Sequence, residues 1–198
     1  NKRELQRRLG LPENPDVPII GMVSRLTDQK GFQLIEEKLN DLLQQDVQVV
    51  LLGTGEEQFE HSFRYFEDAY RDKMRSCIMF DIELAQLIYA SSDMFLMPSA
   101  FEPCGLSQMM AMRYGTLPIV HETGGLVDTV EPYNQYTGEG TGFSFAPFNA
   151  NTMMEVINIA LNVYRNDKQA WEKLVQQAMS RDFSWEGPAK EYINLYNE

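Results

Sequence analysis

Short apolar segments alternate along the chain with longer stretches of helical periodicity, and this pattern limits the possible folds more than any other feature. The apolar segments cover residues 18–23, 47–52, 77–80, 94–98 and 117–120. Apolar strands that alternate with amphipathic helices are typical of a parallel sheet covered on both faces. The sequence therefore predicts an α/β fold, a Rossmann-like doubly wound parallel sheet whose ligands bind beyond the carboxyl ends of the strands.

Turn-forming residues suggest where this unit begins and ends. A charged helical stretch opens the chain and stops at the turn-rich residues 10–15, so we interpret residues 1–16 as a hinge or linker. Residues 17–182 are expected to form the sheet domain, with a glycine-rich loop over 131–142. Helical stretches follow near 150–165 and 168–180, and residues 183–198 are expected to form a C-terminal helix that completes a helical tail.

The charge balance excludes some classes of partner. The chain has 17 basic and 29 acidic residues and a net charge of −12, which disfavours nucleic acids and anionic membranes as partners. Cys77 and Cys104 form no C-x-x-C pair, a usage typical of a reducing compartment. The sequence has neither a long apolar window nor a leader peptide pattern. We therefore expect a cytoplasmic protein without a membrane segment.

Two cations follow the first predicted strand. Arg25 and Lys30 lie five positions apart in a loop that enters a helix, whose N-terminus carries a partial positive charge. They are either solvated surface cations or part of an anion cradle. Their place at the carboxyl end of a strand favours the cradle and predicts a phosphate ligand.

A rigid loop follows the fourth predicted strand. Pro98 and Pro103 stiffen it, and Gly105 lets the backbone approach a ligand closely. Glu102 is then either a helix cap or a functional carboxylate. Cys104 precedes a helix N-terminus, where a thiol can be a nucleophile, although a small packed side chain is the commoner role.

Other loops carry weaker signals. The turn at 53–55 does not complete a G-x-G-x-x-G pattern, which disfavours a nicotinamide dehydrogenase and favours a tight strand-to-helix turn. His121 follows the fifth strand, where it is either catalytic or, more commonly, a surface imidazole. The sequence shows no zinc-ligand spacing, no Asp-x-Asp pair, no nucleophile elbow and no Walker loop. We therefore expect neither a metal nor another cofactor.

Four ordered motifs carry a resemblance to a known family. They are SRL-x-x-QKG at 24–31, PS-x-FEPCGL at 98–106, YGT-x-P at 114–118 and TGGL-x-DTV at 123–130. Together they resemble the C-terminal half of bacterial glycogen synthases and plant starch synthases, and DFSW at 182–185 is similar to the start of that family's last helix. The resemblance covers essentially the whole chain.

The resemblance implies a retaining glycosyltransferase with two Rossmann-like domains facing a cleft. It implies that this chain is the nucleotide-sugar half of an enzyme that transfers glucose from ADP-glucose to the non-reducing end of an α-1,4-glucan. By the same resemblance, Arg25 and Lys30 would hold the diphosphate and stabilise the leaving group, and Glu102 would fix the glucosyl hydroxyls. The backbone of Cys104, Gly105 and Leu106 would share with Glu102 the contacts to the glucosyl hydroxyls. The other implied donor-binding residues are Phe80 on the adenine, Ser107 near the distal phosphate, and the turn Thr123, Gly124 and Gly125, which would line the donor pocket.

The sequence departs from the family pattern at three places. Ala100 stands where many members have Arg, Met110 stands where related transferases often have a second Glu, and residues 80–83 differ from the commoner aromatic-polar-Glu-Ala. The acceptor half of the family is not among these residues, and we expect the C-terminal helix to pack toward it. The chain alone is expected to bind ADP or ADP-glucose without turnover. The alternatives are a retaining transferase that uses UDP-glucose and a non-catalytic nucleotide-binding module.

Overall fold

Six parallel strands form one sheet in the computed structural model, which describes residues 1–196 and, for residues 188 and 191, the backbone only. The strands are β1 (Ile19–Val23), β2 (Gln48–Leu52), β3 (Met74–Cys77), β4 (Met94–Met97), β5 (Leu117–His121) and β6 (Phe143–Phe145). Their spatial order is β3-β2-β1-β4-β5-β6. This order is that of the doubly wound Rossmann sheet, so the predicted fold class is confirmed.

Helices connect the strands and cover both faces of the sheet. Within the described residues they are α1 (Lys2–Leu9), α2 (Phe32–Leu43), α3 (Glu57–Ala69), α4 (Ile82–Ser91), α5 (Ser107–Tyr114), α6 (Gly125–Thr129), α7 (Ala150–Asn166), α8 (Lys168–Ser180) and α9 (Glu186–Tyr196). Side-chain caps fix several starts, because Asp81 accepts a hydrogen bond from the Leu84 amide and Asn149 accepts one from the Thr152 amide. The last two residues of the predicted C-terminal helix lie outside the described part of the chain.

The strands bury side chains on both faces, as a parallel sheet requires. Ile20 and Met22 of β1 pack into a large cluster with α2, α3, α7 and α8. Ile19 points the opposite way and packs with Leu5 of α1 and Ile88 of α4. Because neither face of β1 meets water, its sequence is apolar without alternation, which is why the pattern could be recognised.

Two strands differ from the sequence prediction. The third strand was predicted at 77–80, but β3 spans Met74–Cys77, and Met79 and Phe80 are 49% and 88% exposed beyond its end. The prediction was wrong because β3 is an edge strand, where polar residues are tolerated, whereas the apolar run after it lies beyond the carboxyl end of the strand. The strand β6 (Phe143–Phe145) was not predicted, since three residues after a glycine-rich loop give little periodicity.

The first 16 residues pack on the sheet domain. Leu5 is fully buried, and Gln6 Nε2 donates a hydrogen bond to Gln48 Oε1 over 2.9 Å. Lys2 Nζ lies 2.8 Å from Asp93 Oδ2, next to the start of β4. This segment is therefore held against the domain at both its apolar and its charged contacts, and its role as a hinge to another domain stays a prediction.

The helix α9 leaves much of its apolar surface uncovered. Trp185, just before it, and Tyr192, Leu195 and Tyr196 are exposed. Packing of this helix toward a second domain stays a prediction. No helix among the described residues is long and apolar enough to cross a membrane.

Candidate functional site

Two adjoining cavities lie beyond the carboxyl ends of the central strands. The first, of about 290 Å³, is lined by Lys30 and Glu102 and by three predicted donor-binding residues, Gly105, Leu106 and Ser107. The second, of about 330 Å³, is lined by Arg25 and Phe80. Val23 and Ser24, at the end of β1, line both. Loops that are distant in sequence therefore converge where ligands of such sheets bind.

Lys30 and Glu102 form an ion pair inside the first cavity. Lys30 Nζ lies 2.5 Å from Glu102 Oε2, and the two side chains are only 17% and 11% exposed. Ser99 Oγ donates a hydrogen bond to the same carboxylate oxygen over 3.2 Å. Glu102 is therefore not a helix cap, since α5 has no side-chain cap, and Lys30 is not a solvated surface cation.

Close backbone contact between two loops sets this ion pair. Gly31 has φ +80°, and a Cβ placed there would lie 2.0 Å from the Pro98 carbonyl oxygen. The Ala100 amide also donates to the Gln29 carbonyl over 2.9 Å. Only glycine allows this approach, so the loop after β1 and the loop after β4 meet with Lys30 opposite Glu102.

Arg25 provides a second cation next to the ion pair. Arg25 lines the second cavity, is exposed, and has no ion-pair partner among the side chains that the structure describes. The Leu26 amide donates to the Thr54 carbonyl over 3.0 Å, which holds the Arg25 loop against the turn after β2. That turn therefore supports the Arg25 loop, and its residues Gly53 and Thr54 also line the second cavity.

The start of α5 presents unbonded backbone amides to the first cavity. Ser107 is the first residue of α5, and Leu106 is its N-cap. The amides of Gly105 and Leu106 donate no hydrogen bond to any group that the structure describes. The Ser107 hydroxyl accepts a hydrogen bond from the buried Tyr89 hydroxyl over 3.0 Å, and burial raises the pKa of Tyr89. Free amides at a helix start bind anions.

The predicted turn at Thr123, Gly124 and Gly125 lies behind the Glu102 loop. The Gly125 amide donates to the Glu102 carbonyl over 3.1 Å, and a Cβ on Gly125 would lie 2.2 Å from the Cys104 carbonyl oxygen. None of these three residues is among the lining of the two cavities. In this structure the turn supports the loop from the rear, and the Cys104 side chain is exposed beside it.

Ser99 and His121 belong to the same network, although the sequence did not indicate it. His121 Nδ1 lies 2.8 Å from the Ser99 carbonyl oxygen, and a carbonyl only accepts, so Nδ1 carries the proton. The ring also packs against Phe145 and Phe148 at centroid distances of 5.4 and 5.0 Å. His121 therefore fixes the backbone beside Glu102. The sequence feature that could have identified His121 is its position at the end of β5, which pairs with β4.

The assembled groups suit an anionic ligand with hydroxyl groups. Lys30, Arg25 and the amides at the start of α5 supply positive charge and donors for phosphate oxygens. The Glu102 carboxylate can accept hydrogen bonds from hydroxyl groups beside them. The residues that the structure describes contain no group of three His, Cys, Asp or Glu side chains placed to hold a metal ion.

The chain is similar in sequence to known proteins. The family model for glycosyl transferases group 1 matches residues 2–178. The chain is 62% identical over 196 residues to a glycogen synthase of Streptococcus sanguinis (strain SK36), covering 99% of this chain and 41% of that protein. It is 61% identical over 198 residues to a glycogen synthase of Ligilactobacillus salivarius (strain UCC118), again spanning 41% of that protein.

A solved structure shares the fold of this chain. The catalytic domain of starch synthase IV from Arabidopsis thaliana, bound to ADP and acarbose, superposes with a TM-score of 0.90 and 37% sequence identity. The match covers 99% of this chain and 41% of that one. The chain thus spans about two fifths of the length of each of these three relatives.

Proposed function

The chain belongs to the group 1 glycosyltransferases, and we propose that it is the nucleotide-sugar half of a glycogen synthase. The proposed enzyme transfers glucose from ADP-glucose to the non-reducing end of an α-1,4-glucan with retention. The observation that carries this proposal is the Lys30–Glu102 pair in a cavity at the strand ends, beside Arg25 and Phe80.

The proposed role of the two cations is to bind the diphosphate and to stabilise the charge that grows on it as the glucosyl bond breaks. Fixed positive groups aimed at developing charge typically supply a large part of an enzyme's rate enhancement. Lys30 is already held at 2.5 Å from Glu102, so it is positioned before the donor arrives. An ammonium group has three donors, and Lys30 can keep Glu102 while it contacts a phosphate oxygen.

Glu102 is proposed to orient the glucosyl ring. Its carboxylate accepts from Ser99 and Lys30 on one oxygen, Oε2. The second oxygen therefore keeps its capacity to accept hydrogen bonds from sugar hydroxyls. In this geometry the same residue fixes the sugar and the lysine that contacts the diphosphate.

Phe80 is proposed to stack on the base. Its ring is 88% exposed and lines the 330 Å³ cavity that adjoins the diphosphate site. An exposed aromatic ring beside a cation is a favourable platform for a nucleobase. The relative starch synthase IV, which shares the fold, was solved with ADP, which supports adenine over uracil as the base.

The remaining parts of the proposal concern partners. We propose a cytoplasmic enzyme without a metal or another cofactor, whose partners are ADP-glucose, the glucan and its own N-terminal domain. The acceptor groups would come from that domain, so the chain by itself is expected to bind nucleotide and not to elongate glucan.

Nucleotide titration of the chain tests the proposal. We expect ADP to bind more tightly than UDP in calorimetry, and Arg25→Met to weaken ADP about 10- to 100-fold through loss of a charge-assisted contact. Arg71→Met is the matched control, because Arg71 is an exposed arginine paired only with Asp68 among the described residues. Equal affinity for UDP would favour the UDP-glucose alternative. Failure of both nucleotides to bind would contradict the proposed donor site.

A further inference from the structure

A buried glutamine lies directly behind the amides that face the first cavity. Gln108, in the first turn of α5, is 0% exposed. Its Nε2 donates to the carbonyl oxygens of Cys104 over 3.2 Å and Gly105 over 3.0 Å, and to Thr129 Oγ1 over 3.0 Å. The two carbonyls fix which way the side-chain amide points, since a flipped amide would set its own oxygen against both of them.

Packing alone does not explain a glutamine at this position. Gln108 Oε1 is buried and has no hydrogen-bond partner among the described residues. A buried carbonyl oxygen without a partner costs stability, whereas a methionine would fill the space without that cost. What a glutamine provides here, and a methionine would not, is the pair of hydrogen bonds from Nε2 to the Cys104 and Gly105 carbonyls.

Anchoring these two carbonyls sets the direction of the next two amides. In a trans peptide the C=O and the N–H point in opposite directions. Because the Cys104 and Gly105 carbonyls point at Gln108, the amides of Gly105 and Leu106 point away from it. Both of these residues line the first cavity, and neither amide has an acceptor among the described groups.

We propose that Gln108 is a positioning residue that turns the Gly105 and Leu106 amides toward the phosphate groups of the donor, an inference that rests on the proposed function of this cavity. Gln108 touches no substrate and acts through the backbone. Thr129 connects Gln108 to the turn behind the Glu102 loop. Its hydroxyl accepts a hydrogen bond from Gln108 Nε2 and donates one to the Gly125 carbonyl over 2.7 Å.

Two substitutions separate positioning from packing. Gln108→Met keeps the volume and removes the donor, and Gln108→Glu keeps the shape and places an acceptor against the two carbonyls. We expect each to weaken ADP binding by the chain about tenfold at pH 8, measured by calorimetry. Gln177→Met is the matched control, because Gln177 is also on a helix and accepts a hydrogen bond from the Gly140 amide far from the cavities.

Gln108→Glu at low pH, compared with Gln108→Met, gives a readout that a packing role would not produce, because only the protonated carboxyl group restores a donor to the two carbonyls. A protonated carboxyl group can donate to one of the carbonyls, and burial raises the pKa of a carboxyl group. The ratio of its ADP affinity to that of the wild type should therefore recover as the pH falls from 8 to 5.5. The same ratio for Gln177→Met should stay flat.

The outcomes are distinct. Wild-type affinity in folded Gln108→Met, or a Gln108→Glu ratio that does not change with pH, would overturn the role of Gln108 and leave the proposed function intact. A wild-type chain that does not bind ADP would instead overturn the proposed function, and this inference with it. If both variants fail to fold, the wild-type amide resonances decide: those of Gly105 and Leu106 must shift when ADP is added, and unchanged resonances overturn the proposal.

Discussion

Replacing Lys30 with alanine should affect both stability and nucleotide binding, and the structure predicts each effect. The substitution removes the partner of Glu102 and leaves a carboxylate that is 11% exposed with only the Ser99 hydroxyl as donor. Removing one partner of a fully buried pair costs about 3–5 kcal/mol. Since this pair faces an open cavity, we expect about 2 kcal/mol, which lowers the melting temperature of a chain of this size by roughly 4–8 °C.

The double variant Lys30→Ala/Glu102→Gln separates the two effects. Removing the unpaired charge of Glu102 should restore most of the lost stability, because the side-chain amide of the introduced glutamine keeps an acceptor for the Ser99 hydroxyl. It should not restore ADP binding, since the ammonium that contacts the diphosphate is still missing. Both variants should lose about 1.5–3 kcal/mol of binding, or roughly 10- to 100-fold in affinity. The single variant should lose more, because its free carboxylate repels the diphosphate.

Thermal unfolding and calorimetry with ADP measure these quantities on the four members of the cycle. Lys38→Ala is the control, because Lys38 meets the exposed carboxylates of Glu37 and Asp41 only at 3.9 and 4.0 Å. Surface pairs of this kind contribute about 0–1 kcal/mol. If Lys30→Ala matched Lys38→Ala in melting temperature and kept wild-type affinity for ADP, both the structural and the binding role of Lys30 would be refuted.

Three further predictions concern other residues of the site and the thiols. In the full-length enzyme, Glu102→Gln should lower kcat more than it changes KM, and an effect on KM alone would make Glu102 a binding residue only. Phe80→Ala should cost about 1–3 kcal/mol of ADP binding without a change in melting temperature, and unchanged affinity would remove Phe80 from the base site. Burial raises the pKa of the Cys77 thiol to about 11, so iodoacetamide at pH 8.5 should modify the exposed Cys104 first, as read by peptide mass spectrometry. Because the folded-state pKa of Cys77 lies above its unfolded-state value, ionisation of this thiol disfavours the folded state, so the free energy of unfolding should decrease above about pH 9. Equal labelling of both thiols would contradict the half-buried position of Cys77.

The strands that the sequence predicted well are those buried on both faces. The apolar runs of β1 and β2 could be assigned only to buried strands, because a polar residue there would meet a helix on either side of the sheet. The edge strand β3 contains Arg75 and Ser76, whose side chains need not be buried, so the apolar run that follows it gave the wrong position. The error is informative, since apolar residues exposed beyond a strand end, such as Phe80, are candidates for ligand contacts.

The three charged residues of the candidate site could be predicted from the sequence, whereas their contacts could not. Arg25, Lys30 and Glu102 follow the strand-end rule, which depends only on the order of strands and loops. The pairing of Lys30 with Glu102 joins residues 72 positions apart and depends on how closely two loops approach, which a sequence pattern does not encode. The role of Gln108 is equally hidden, because a polar residue in a helix gives no sign that it bonds backward to the preceding loop.

The Lys30–Glu102 pair also explains how an acidic protein can keep a site for an anion. The net charge of −12 is spread over the surface, where salt screens it beyond about 8–10 Å. Contacts within hydrogen-bond distance of Lys30, Arg25 and the α5 amides are much less screened, so the local groups decide binding. Glu102 balances the charge of Lys30 inside the cavity. In the proposed complex, Lys30 keeps its contact with Glu102 Oε2 and donates a second hydrogen bond to the diphosphate, while Oε1 accepts from the sugar.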